Sequence, residues 1–251
     1  MKELQKTSIL KKGKTMILAY DQGFEHGPVD FNAVNCDPQY IFDIALHGKY
    51  DALAVQAGLA HKYYHDEYQN IPLIVKLNGK SKFDNKDPVS KQHTTVEHAV
   101  ELGAVAVGYT IYLGSSKEQE MFTEFGHICE QAHRYGLIAI AWMYPRGPSV
   151  KDEFSTDILS YATRIAVELG ADIVKIKTNR DTEGMRWAIK NAGKSKVVIA
   201  GGDKTSDEDF LNLTKESLEA GAAGLAVGRN VWQHENPLKI SRKIKKIIHG
   251  K

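Results

Sequence analysis

The stretch Gly170-Ala171-Asp172-Ile173-Val174-Lys175-Ile176-Lys177-Thr178 reads as a short buried strand that carries two lysines among apolar residues. An ammonium buried without a partner costs several kcal/mol or loses its proton. These lysines therefore either leave the strand end for solvent or sit where an amine is used. Strand alternation sets Ile173, Lys175 and Lys177 on one face and Asp172, Val174 and Ile176 on the other. The two lysines then lie about 7 Å apart along the strand.

Working outward, seven more short apolar runs are found: Met16–Tyr20, Ala52–Val55, Leu73–Val75, Ala104–Val107, Leu137–Ala141, Val197–Ala200 and Gly224–Val227. Several lack polar alternation, as expected of parallel strands covered on both faces. Between them the pattern turns helical. Asp157 to Leu169 is amphipathic and stops at Gly170, and Ser206 with three acids opens a helix that stops at Gly221. Helix–Gly–Ala–strand recurs at Gly103, Gly170 and Gly221, an echo of a repeated βα unit. Eight such units in 251 residues predict an α/β fold, a single TIM (β/α)8 barrel spanning 1–251. A doubly wound sheet is the alternative, but Asp21–Gly27 does not carry its glycine fingerprint.

Composition narrows the function classes. A formal net charge of +2 gives no electrostatic case for nucleic acid or for a membrane surface. Cys36 and Cys129 stand far apart without metal or redox spacing, which fits a reducing compartment. No apolar run approaches the ~20 residues of a membrane span, and Met1–Lys6 is polar, unlike a signal peptide. A cytoplasmic protein is expected. The basic segment Arg242–Lys246 reads as a helix end whose isoleucines 240, 244 and 247 form a buried stripe. Tyr63–Tyr68 reads as helix packing or a subunit contact.

Barrel chemistry gathers at the C-terminal strand ends. Those ends carry Asp21, Gln56, Lys76, Tyr109, Trp142, Tyr144, Lys175, Lys177, Gly201-Gly202 and Gly228-Arg229. The glycine turns after strands seven and eight fall where such barrels bind phosphate through backbone N–H groups, and Arg229 adds a charge-assisted contact. The same glycines would also serve plain tight turns. A neutral Lys175 could attack a carbonyl and form a Schiff base, with Lys177 as the neighbouring cation that lowers its pKa. A structural lysine paired to Asp21 is the plainer reading. Tyr144 could carry protons, and Asp21 could orient the amine or bond substrate hydroxyls.

Five segments then carry a family resemblance: Leu18–Pro28, Gly108–Tyr112, Trp142–Gly147, Ala171–Lys175 and Ala226–Trp232. Together they resemble the archaeal-type class I fructose-bisphosphate aldolases of the DeoC/LacD-like superfamily. The resemblance implies a Schiff-base lysine at Lys175, a proton-transferring tyrosine at Tyr144, a positioning aspartate at Asp21 and Trp142 lining the site. It implies phosphate contacts at Gly201, Gly202, Gly228 and Arg229, with Arg146 and His26 as candidates for the distal phosphate. It further implies a sugar-phosphate substrate, no metal or other cofactor, no nucleic acid or membrane partner, and a homo-oligomer of up to ten chains. Gln22 departs from the family's usual His. A sister Schiff-base enzyme, 2-amino-3,7-dideoxy-heptulosonate synthase, and a non-catalytic sugar-phosphate binder are the competing readings. A metal-dependent aldolase is disfavoured because His61, His65, His93 and His98 stand away from strand ends.

Overall fold

In the computed structural model the described residues are 9–83 and 85–250, with only the backbone of Gln22; Met1–Lys6 and the Gln22 side chain lie outside them. Eight strands alternate with helices. They are β1 (Thr15–Tyr20), β2 (Ala52–Gln56), β3 (Leu73–Lys76), β4 (Ala106–Leu113), β5 (Ile138–Pro145), β6 (Ile173–Ile176), β7 (Lys196–Ala200) and β8 (Gly224–Val227). The helices that follow them are α1 (Gln39–His47), α2 (Ala57–Tyr63), α3 (Val96–Glu101), α4 (Glu118–Arg134), α5 (Thr156–Glu168), α6 (Thr182–Lys190), α7 (Asp207–Glu219) and α8 (Pro237–His249). All neighbouring barrel strands pair in parallel, and β1 closes the barrel by pairing with both β2 and β8.

Parity divides the core into two layers. One side of each strand faces the barrel axis, where Ile17, Ala19, Ala54, Ile74, Ile138, Ile140, Ile173, Val198 and Ala226 pack with Ile9 at the foot. The other side meets the helices in a larger apolar layer that includes Val174 and Ile176. On β6, Ile173 therefore points to the axis and Val174 to the helices, as alternation requires.

Helix starts follow their capping residues. Ser155 accepts from the Ile158 N–H, and Ser206 from the Asp209 N–H at 3.2 Å. The buried stripe of α8 is Ile240, Ile244 and Ile248; Ile247 lies at its edge, because an i, i+4, i+8 row follows one helix face better than 240, 244, 247. Tyr63 and Tyr68 pack against Phe42, and Tyr68 donates to Asp43 at 2.5 Å, so that aromatic cluster ties α1 to the segment before β3.

Two strands are displaced from the sequence-based expectation. β4 begins at Ala106 rather than Ala104 and runs on to Leu113, and β5 runs on to Pro145. Tyr109 is thus a mid-strand residue. It faces α4, stacking on Phe125 and donating to Glu124, and takes no part in the barrel mouth.

Candidate active site

The C-terminal mouth of the barrel opens into a cavity of about 610 Å³. Of the residues singled out from the sequence, Asp21, His26, Tyr144, Arg146, Lys175, Lys177, Gly201, Gly202, Gly228 and Arg229 line it. Trp142 does not. It is 1% exposed and lies beneath the cavity, with the Lys175 ammonium position 5.2 Å from its ring centroid. The register explains that contact, since Trp142 on β5 pairs with Lys175 on β6.

Lys175 is buried, 5% exposed, at the end of β6. Burial drives its pKa from the usual 10.5 down to about 8; Asp21 and Glu25 pull it up, and Lys76 pushes it down. The cation pressing on Lys175 is therefore Lys76 from β3, not Lys177 as the strand spacing suggested. Lys177 sits beyond the strand end, where its ammonium pairs with Glu153 at 2.8 Å and lies 4.8 Å over the Phe154 ring. A direct pairing of Lys175 with Asp21 is absent among the described residues; Asp21 acts on it at longer range.

Tyr144, half-buried at the cavity wall, stacks on Tyr112, its cross-strand neighbour, at 6.4 Å between centroids. The Arg146 guanidinium lies 5.4 Å over the Tyr144 ring. Burial, then Asp21 and Glu25, raise the phenol's pKa, and Arg146 and Arg229 oppose them without reversing the shift. The resting phenol is protonated.

Glu25 was passed over in the sequence although it falls inside the Leu18–Pro28 segment. The short helix Gln22–His26 that follows β1 turns it into the cavity beside Asp21. There Tyr112 donates to its Oε2 at 3.2 Å, and its Oε1 is buried without a protein partner. Helical spacing from Asp21 was the available signal.

Arg146, Lys177, Arg180 and Arg229 border the cavity. Glu153 holds both Lys177 and Arg146, the latter at 3.4 Å. Arg229 pairs with Asp203 at 2.5 Å, and its Nε is buried with no partner. Asn230 locks the loops after β7 and β8 together by donating to the carbonyls of Gly201 and Asp203 and accepting from the Thr205 N–H. Gly202 adopts φ +70°, a conformation that favours glycine. The Gly201 N–H already bonds Ala226 O at 3.1 Å, so this glycine contributes close backbone approach rather than a phosphate donor. His26 reaches the cavity with its Nδ1 bonded to Asp30 at 3.0 Å.

Gln56, from the shortlist of strand ends, donates to Asn78 O and faces a separate cleft beside α2. Among the described residues no group of three His, Cys, Asp or Glu side chains is arranged to hold a metal ion.

The model of the DeoC/LacD family aldolases matches residues 15–234. The chain is 48% identical over 243 residues to the fructose-bisphosphate aldolase class 1 of Thermoproteus tenax, covering 96% of this chain and 91% of that one. It is 46% identical to the enzyme of the same name from Halobacterium salinarum, over 94% of this chain and 91% of that one. Among solved structures, an archaeal fructose-1,6-bisphosphate aldolase with its catalytic lysine covalently bound to the carbinolamine intermediate superposes with a TM-score of 0.93, at 46% identity and 99% coverage of both chains.

Proposed function

The chain belongs to the DeoC/LacD family of aldolases, and from that premise we propose that it is a class I fructose-1,6-bisphosphate aldolase working through a Schiff base on Lys175. The observation that carries the residue assignment is a buried amine with its pKa brought down to about 8, beside a protonated phenol in a cavity bordered by cations.

The neutral Lys175 amine attacks the C2 ketone and forms a carbinolamine. Tyr144 gives its proton to the departing hydroxyl, so that water leaves, an iminium remains and the phenol becomes phenolate. That phenolate takes the C4 hydroxyl proton. The C3–C4 bond breaks, its electron pair flows into the iminium, and glyceraldehyde 3-phosphate departs from the enamine. Tyr144 then protonates C3. Water adds to the new iminium, returning a proton to Tyr144, and dihydroxyacetone phosphate leaves the amine. A protonated resting phenol suits this order, because the first demand on Tyr144 is for an acid. Asp21 and Glu25 offset the positive charge that builds on Lys175. Arg229 with the Gly202 and Gly228 turns takes one phosphate, and Arg146 with Lys177 the other.

Dihydroxyacetone phosphate and borohydride together should fix a label on Lys175, located by peptide mass mapping. A label on Lys177, or none, overturns the assignment. Chelator should leave cleavage of fructose 1,6-bisphosphate unchanged. The cytoplasmic location and the homo-oligomer belong to this same reading, and light scattering on the purified enzyme tests the latter.

A further inference from the structure

Lys76 is a second buried amine at the barrel mouth, and the mechanism above gives it no step. It is 0% exposed at the end of β3, on the axis-facing parity of Ile74. Its Nζ donates to Asn78 O and to Asn78 Oδ1, both at 2.9 Å. Asn78 cannot turn away: its Nδ2 donates to the Ser90 and Thr110 carbonyls, and its Oδ1 also accepts the Thr110 N–H. Lys175, by contrast, makes no hydrogen bond to the protein among the described residues.

One ring connects the two amines. Trp142 leans from β5 across Gly108 on β4, the register partner of Lys76. A Cβ at Gly108 would meet the indole at 2.1 Å, so only glycine lets the ring span this distance. The ring centroid lies 5.2 Å from Lys175 Nζ and 5.8 Å from Lys76 Nζ. The nitrogens are thus no more than about 11 Å apart. At that separation, with an effective dielectric of ~20, one unit charge moves the other amine's titration by about one pH unit.

We propose that Lys76 is a positioning residue for Lys175: a fixed ammonium, held by Asn78 and facing Lys175 over Trp142, that favours the neutral form of the attacking amine. The surroundings of the pair bear on this. Burial lowers the pKa of Lys76 as it does that of Lys175, while Asp21 and Glu25 face both amines from the loop after β1 and favour charge on each. His93, partly desolvated beside Lys76, is pushed down in pKa by desolvation and by that ammonium, and so adds no competing charge at neutral pH. Tyr144 stands protonated, and Arg146 and Arg229 act on it from the cavity wall. Of the two amines, Lys76 keeps the proton because it alone has two rigid oxygen acceptors.

The inference deepens the aldolase reading, and its test needs no aldolase substrate. Acetic anhydride labelling of Lys175, read by mass mapping across pH, should give a midpoint near 8 in the wild type. In Lys76→Met that midpoint should rise by about one unit, making labelling at pH 7 roughly tenfold slower. Lys76→Arg should restore the wild-type profile. Lysine 15Nζ spectra of the unmutated enzyme should show Lys76 charged through the pH range in which Lys175 deprotonates. An unmoved midpoint in Lys76→Met, or Lys76 losing its proton first, overturns the proposal. Failure of the aldolase reading would show separately, as absence of borohydride trapping in the wild type.

Discussion

The barrel buries charge at both ends, in opposite ways. At the foot, Asp51 is 1% exposed and surrounded by partners: its Oδ2 accepts the Met16 N–H at 2.8 Å and pairs with His249 at 2.7 Å, and its Oδ1 forms an ion pair with Lys11 at 2.7 Å. At the mouth, Lys175 and Lys76 are just as deeply buried, yet neither forms an ion pair among the described residues. A buried charge whose partners are all present holds structure together, and removing one member strands the rest. A buried amine left short of counter-charge is destabilised as an ammonium and therefore available as a nucleophile. The foot ties its buried acid to protein partners, while at the mouth Asn78 holds Lys76 and only Lys175 of the two amines is left for a substrate carbonyl.

The two ends should respond most differently to loss of Lys175. Lys175→Met should lower cleavage by about 10⁵-fold while making the fold more stable. A lysine whose folded pKa is depressed to about 8 binds fewer protons folded than unfolded between there and 10.5. Below pH 8 it costs stability, about 3 kcal/mol, and the cost fades as pH rises through 10.5. Thermal melts should place the variant well above wild type at pH 7 and level with it near pH 11; equal melts at pH 7 would contradict an uncompensated amine.

Tyr144→Phe should reduce turnover by about 10³-fold, within the range for a lost acid–base group, and slow borohydride trapping on Lys175 in parallel. Trapping at the wild-type rate would confine Tyr144 to the C–C cleavage half of the reaction. At the foot, Asp51→Asn should cost about 3 kcal/mol in denaturant unfolding, because His249 and Lys11 lose their anion. Activity per folded molecule should stay within about twofold. The smallest effect belongs to Lys177, a lysine lining the same cavity just past the end of β6 but already paired. Lys177→Met should raise KM roughly tenfold, leave kcat close to wild type and leave the Lys175 label in place.

Much of this site could be read from one dimension because β6 obeys simple alternation. Ile173 and Lys175 do share the axis-facing parity, Lys177 lines the same cavity from beyond the strand end, and Trp142 and Tyr144 share a face on the neighbouring strand. Alternation says nothing, however, about where a strand ends. β4 and β5 pair several residues past their apolar runs, as far as Leu113 and Pro145, which leaves Tyr109 mid-strand, and its parity with Val107 and Ile111 turns it to the helices. Distance along its own chain points to Lys177 as the perturbing cation, but Glu153 from the loop between β5 and α5 pairs with it. Glu25 follows Asp21 at helical spacing, but the helix that turns it toward the axis is only five residues long, so that single spacing is the whole of its local signal.

Periods of two and 3.6 residues together with capping chemistry suffice to mark out the eight βα units, the glycine-ended helices and the placing of Lys175, Tyr144 and Asp21 at strand ends. Only closure of the barrel decided which charges meet. Joining β1 to β8 sets Asp21 and Glu25 over Lys175, and passing Trp142 across Gly108 sets Lys76 against it. Local patterns fix the direction in which a side chain points. The pKa of an amine depends on groups that arrive from 99 to 154 residues away in the chain, and no local pattern records them.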